Sequence, residues 1–277
     1  MATRLLNRTL FLYLPLWACT LFIAFPLYWT LITAFKTEAE VVSRDISYFP
    51  AQLTVDNFVT VWKSVGFSVY FRNSMLVSVI TVLICLVFST MVGYALSRFR
   101  FRGRKAFLLL LLGTQFIPGA MLLIPLFMIF KSLGLTGQLS SLIITYVTFN
   151  LPFSSILMSG FVSNIPQQLE EAAMVDGCSR LSAIVHVIFP LLVPGIVATS
   201  VFAFIDAWND FLFALMFISK NANFTIPVGL SYMIGEFNIA YGALAAGSVI
   251  ALLPTVIFFG FIQKYLVSGI MSGSVKG

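Results

Sequence analysis

Apolar residues run along this chain in long blocks, and the polar residues collect in the gaps between them. A helix needs about 20 apolar residues to cross roughly 30 Å of hydrocarbon. Six blocks reach that length: Leu10 to Phe35, Ser74 to Ser97, Ala106 to Phe130, Ser140 to Phe161, Gly195 to Ile218 and Ala243 to Gln263. The pattern predicts an all-α polytopic membrane protein with six transmembrane helices, a single transmembrane domain over 1–277. An even number of spans puts both termini on one side.

Composition agrees with the pattern. The 277 residues are 60% hydrophobic and 9% charged, more apolar surface than a soluble core of that size can hide, so the lipid bilayer is the solvent. The net charge of +6 would suggest nucleic acid in a soluble protein, but in a membrane chain the placement of Lys and Arg carries the information. One side gathers Arg4, Arg8, Arg98, Arg100, Arg102, Arg104, Lys105, Arg180, Lys264 and Lys276, ten of the sixteen basic residues. The other side has Lys36, Arg44, Lys63, Arg72, Lys131 and Lys220, mixed with Glu38, Glu40, Asp45, Asp56 and Glu236. Both termini are therefore expected in the cytoplasm. The cluster RFRFRGRK at 98–105 interleaves arginine with phenylalanine, as a contact for lipid phosphate or RNA would. It is read as a basic turn that fixes orientation, with no nucleic-acid partner.

LWAC at 16–19 faintly resembles a lipoprotein cleavage site, but the apolar run continues to Phe35, so an uncleaved anchor is expected. Cys19, Cys85 and Cys178 suggest neither a disulfide framework nor a thiolate site, and His186 has no ligand-type neighbour at metal spacing, so no metal is expected. Pro15, Pro26, Pro118, Pro125, Pro152 and Pro254 fall inside spans and predict kinks, while glycines such as Gly93, Gly113 and Gly247 predict close packing.

The segment EEAAMVDGCSR, 170–180, places three of the ten acidic residues inside the loop at 163–194, between spans four and five. Pro166 suits a helix start, Glu170 and Glu171 suit the N-terminal half of the dipole, and Gly177 suits a left-handed stop. About eleven residues at 1.5 Å give roughly 16 Å, too short to span. Ala172 and Ala173 allow close approach of a partner, with Leu169 and Asp176 flanking them on the same face. Ser179 is expected to cap a second short helix that Pro190 stops. The residues alone leave two readings open, a plain surface linker and a knob that passes movement from a soluble partner into the bundle.

Glu171, Ala172, Ala173, Gly177 and the VIFP at 187–190 resemble the EAA loop of permease subunits in binding-protein-dependent ABC importers. Val187 and Phe189 depart from that pattern at its Ile and Leu positions, keeping both apolar. TVDNF at 54–58, FRNS at 71–74, FRGRK at 101–105, LPF at 151–153, AWNDFL at 207–212 and the tail SGSVKG at 272–277 are similar to the maltose-transporter type of carbohydrate permease. The resemblance implies a bacterial inner-membrane location, with a second permease, two ATP-binding subunits and an extracytoplasmic sugar-binding protein as partners. It implies ATPase coupling through Glu170, Glu171, Ala172, Ala173, Asp176, Gly177 and Pro190, with Glu171 in polar contact with the ATPase, and tail contact through Ser272, Gly273 and Lys276. No G-x-x-x-x-G-K-[ST] occurs, so ATP and Mg are expected on partner subunits, with no cofactor and no catalytic residue here.

Span five holds Asp206 and Asp210 one helical turn apart, on one expected face, with Trp208 and Asn209 beside them. Intramembrane carboxylates usually face a bundle interior or water. Three readings stand: ties to neighbouring helices or to the second permease, a sugar path in which Trp208 offers an apolar face, and a proton relay. The last belongs to the alternative function, a proton-coupled secondary transporter using Asp206 and Asp210. Six spans and the docking knob favour the importer.

Overall fold

The structure is a computed structural model that describes residues 9–64, 66–235 and 239–274. Among these, every regular element is helical. Helix α1 is Leu14–Ala34, and the short α2 and α3 are Glu38–Val41 and Asp56–Val59. Then come α4 (Phe67–Arg98), α5 (Arg104–Thr114), α6 (Leu123–Ser132) and α7 (Leu139–Ser163). The short α8 (Gln167–Val175) and α9 (Arg180–Ala183) precede α10 (Val193–Asn209), α11 (Leu212–Phe217), α12 (Ile226–Tyr232) and α13 (Tyr241–Ser274).

Four helical stretches are long and apolar enough to cross a membrane: Phe11–Ala34, Phe67–Arg98, Leu139–Ser163 and Tyr241–Gly260. Two bent pairs reach that length and apolarity when each is taken together, Arg104–Thr114 with Gly119–Ser132 at 87°, and Arg180–Leu191 with Val193–Asn209 at 72°. Counting each pair once gives the six expected.

Two of the expected spans are broken rather than continuous. Span three stops at Thr114 and resumes as a 3-10 turn at Gly119, because Pro118 has no N–H to donate and holds an extended ψ of 123°. Span five does not run unbroken to Ile218. At Asp210 the backbone turns extended (φ −65°, ψ 131°), and its carboxylate accepts the Ala214 N–H at 3.1 Å, so the side chain serves as a cap for α11. Asp210 therefore does not sit one turn below Asp206 on a helix face.

The chain forms two compact units, Met1–Ser68 with Leu230–Leu253, and Val69–Gly229 with Pro254–Gly277. In the first, Ala34, Ala245 and Ala246 make a small buried cluster with Phe58 and Val249. Asn57 of TVDNF donates to the Ala34 and Lys36 carbonyls at 3.0 and 2.7 Å, and Glu38 accepts the Tyr241 and Gly242 N–H groups, both at 3.0 Å. These bonds satisfy the free ends of α1 and α13.

In the second unit, Tyr94, Met158, Val162, Ile165, Ile188 and Leu192 form a buried cluster. Gly93 lets α4 and α7 touch: a Cβ there would lie 2.8 Å from the Ser159 nitrogen and 2.9 Å from the Met158 Cβ. Asn73 and Ser74 of FRNS bind α12 and the chain before it, Asn73 donating to the Ala222 and Phe224 carbonyls at 2.9 and 3.0 Å and Ser74 accepting the Ile226 N–H at 2.8 Å.

Candidate functional site

The loop between the fourth and fifth spans is a helix, a turn and a second helical stretch. Pro166 is the N-cap of α8, and Gly177 takes φ +92°, the left-handed value that ends it. Ser179 caps α9 by accepting the Ser182 N–H at 3.2 Å. Pro190 does not stop this stretch as expected. The chain widens into a π-turn over Ile184–Ile188, which makes room for the ring, and Phe189–Leu191 stays helical up to the bend at Leu192.

Two adjacent carboxylates of α8 differ in burial, Glu170 buried and Glu171 exposed. Glu170 is buried, receives the Tyr94 hydroxyl, and meets Arg98 Nε at 3.2 Å and Arg180 Nε at 3.8 Å. Arg98 also donates to the Ile165 carbonyl at 2.9 Å, and Arg180 stacks over Phe99 at 5.4 Å. Tyr94 and Arg98 lie four residues apart on α4, so one face of that helix grips one face of α8. Arg98 is thus an internal partner rather than one of the free charges of the basic turn. Glu171 is exposed and accepts from Gln167 Nε2 at 3.0 Å. Around it lie the exposed Leu169, Ala172, Val175 and Asp176, with Leu181 and Val185 exposed on the following stretch. Ala173 is half-buried.

The polar group of span five divides in two. Asp206 accepts from Asn150 Nδ2 at 2.7 Å, while Asp210 accepts from the Tyr146 hydroxyl at 2.7 Å. Trp208 offers no free face, because it is buried, stacked on Phe204 at 5.3 Å and met edge-on by Phe71 at 5.6 Å. Asn209 is exposed at the end of α10. A cavity of about 300 Å³ opens beside Asp206, lined by Thr114, Gln115, Phe149, Asn150, Phe153 and Phe202. Thr114 and Gln115 reach it because span three breaks at that level. Of the tail residues, Ser272 and Gly273 fall in the last turn of α13, and Lys276 lies outside the described residues, as do Arg4, Arg8 and Glu236.

A family model, the binding-protein-dependent transport system inner membrane component, matches residues 86–272, from mid α4 to the end of α13. The chain belongs to this family. It is a multi-pass membrane protein, and the relatives are transport permeases rather than enzymes. The chain is 37% identical over 262 residues to the diacetylchitobiose uptake system permease protein DasC of Streptomyces coelicolor, covering 94% of this chain and 95% of that one. It is 34% identical over 253 residues to the sulfoquinovosyl glycerol transport system permease protein SmoH of Agrobacterium fabrum, covering 91% and 89%. A chain from the crystal structure of a bacterial ABC transporter involved in import of the acidic polysaccharide alginate shares the fold, with a TM-score of 0.82 at 23% identity over 95% of this chain and 97% of that one.

Sequence reasoning missed Tyr94, Tyr146 and Asn150 as partners of the three carboxylates. The signal was available in Tyr94 and Arg98, a helical turn apart at the end of the second span and beside the basic turn. Tyr146 and Asn150 are also a turn apart, but they sit in mid-span among Thr145, Thr148 and Ser154, with no neighbouring charge to single them out.

Proposed function

We propose that this chain is the membrane-spanning permease of an ATP-driven ABC importer and passes a sugar or sugar derivative across the bilayer. The cargo class is taken from the relatives' names, one for diacetylchitobiose and one for sulfoquinovosyl glycerol. Its partners are a second permease, two ATP-binding subunits that hold ATP and Mg, and an extracytoplasmic binding protein that delivers the sugar. Both termini and the loop at 163–194 face the cytoplasm, following the bias of basic residues.

What supports the coupling role best is the division of α8 into an inner and an outer face. Glu170 ties the loop to α4 at Arg98, and the outer side leaves Leu169, Glu171, Ala172, Val175 and Asp176 for an ATPase cleft. A push on that outer face reaches the second span directly. Closure of the ATPases then shifts the equilibrium between inward-open and outward-open arrangements, and the bends at Pro118 and Asp210 give the spans places to flex. The sugar passes the cavity beside Asp206, where Phe149, Phe153 and Phe202 supply apolar surface and Asn150 and Asp206 supply hydroxyl partners.

The test is Glu171→Lys in the purified, reconstituted assembly. Insertion should be normal, and ATP hydrolysis should no longer drive uptake of labelled sugar. Uptake at the unaltered rate would remove the coupling role. Phe153→Ala and Asp206→Ala should each raise the sugar concentration needed for half-maximal uptake; unchanged values would place the path elsewhere.

A further inference from the structure

The turn between α4 and α5 carries Arg100, Arg102, Arg104 and Lys105 within six residues. With Phe101 and Leu108 they line an open groove of about 870 Å³. No carboxylate among the described residues pairs with these four cations, since the ion pairs present join Glu170 to Arg98 and Arg180. Arg104 adds a sharper signal. Its Nε is buried and has no hydrogen-bond partner, while the residue as a whole is half-buried. The N-terminus of the eleven-residue α5 lies at the same place, and no side chain caps it. Its free N–H groups and positive dipole end add to the field of the cations.

We propose that this groove binds an anionic phospholipid, with the phosphate held by Arg102, Arg104 and Lys105. A soluble phosphate would need only the cations. Here Leu109, Leu110 and Leu112 continue up α5 as exposed apolar surface, 68%, 62% and 45% exposed, directly beyond the charged turn. From Arg104 to Leu112 the helix rises about 12 Å. Headgroup charge at one end and an apolar track from there is the chemistry of a phospholipid, and basic pockets beside transmembrane helices suit anionic headgroups. A turn that only set orientation would need the charges, but neither a groove nor a buried guanidinium edge. The proposal requires that the chain lie in a bilayer; it does not depend on the cargo or on the ATPase.

The experiment is native mass spectrometry of the full chain, with whatever subunits co-purify, incubated with phosphatidylglycerol or phosphatidylcholine in the same detergent. Phosphatidylglycerol should be retained preferentially. Each cation near an anionic lipid is worth about fivefold, so R102Q with R104Q should lower its retention by roughly 30-fold. K220Q, in a different loop, should change nothing. R104K keeps the orienting charge but loses the guanidinium fork, so it should insert normally and retain severalfold less lipid. Equal retention of the two lipids, or wild-type retention by R104K and by the double variant, would overturn the site. Displacement of the lipid by millimolar inorganic phosphate would overturn the phospholipid as its ligand and leave a free-anion site.

Discussion

Arg98 and Glu170 lie 72 residues apart in sequence and meet at 3.2 Å, with side chains 8% and 4% exposed. The loop between the fourth and fifth spans is in this way fixed to the end of the second. Removing one member of a buried pair strands the other charge, at a cost of about 3 to 5 kcal/mol. Arg180 is half exposed and stands 3.8 Å away, so it offsets only part of that. Arg98→Met should lower the melting temperature of the purified protein markedly, and adding Glu170→Gln should restore most of the loss. Additive losses in the double variant would show that the two side chains are not coupled.

Gly177 ends α8 at φ +92°, where a residue with a Cβ costs about 1 to 2 kcal/mol. Its N–H also donates to the Met174 carbonyl at 3.1 Å. Gly177→Pro loses that bond and cannot adopt the angle, so the outer face of α8 should be displaced. Nothing lies within 4 Å of an added Cβ, so Gly177→Ala pays only the backbone term. Uptake by the reconstituted assembly should fall to near background for proline and partially for alanine, with ATP hydrolysis retained in both. Equal uptake by the two variants would mean that the turn's angle does not govern coupling.

Hydropathy made the spans legible because it averages over twenty residues, and turn chemistry made the loop legible because Pro166, Gly177 and Ser179 each mark one boundary. The break at Asp210 was hidden. One carboxylate bonding to the Ala214 N–H and the Tyr146 hydroxyl competes with the helix locally, and a sliding average does not register it. The different burial of Glu170 and Glu171 was equally hidden. Neighbouring residues on a helix point about 100° apart, and which of them turns inward depends on Tyr94 and Arg98, some seventy positions earlier.

Asp210 accepts both the Tyr146 hydroxyl and the Ala214 N–H through Oδ2. Asp210→Asn keeps one carbonyl oxygen able to accept both, whereas Asp210→Ala leaves the Tyr146 hydroxyl unpaired, a cost of about 1 to 3 kcal/mol. Alanine should reduce stability and uptake well below asparagine, and the loss should be the same at external pH 6 and pH 8. A deficit in asparagine that changed with external pH would point to proton transfer at this position.

Glu40 closes the loop after α1 by accepting the Ser47 hydroxyl at 2.6 Å and the Ala51 N–H at 3.1 Å. The Ser47 bond first, then the Ala51 N–H, hold its carboxyl below the ordinary range, outweighing a small opposing effect of burial. A carboxylate whose acidity is strengthened by folding stabilises the fold above its unfolded pKa, and that contribution disappears as pH falls through the lowered folded value. Acidification below the ordinary carboxylate range should therefore loosen residues 37–51, seen as faster hydrogen exchange at the Ala51 amide after correction for intrinsic rates. Glu40→Gln should show the looser exchange already at neutral pH and little further change on acidification. An equal acid response in both proteins would assign the loosening to a different carboxylate.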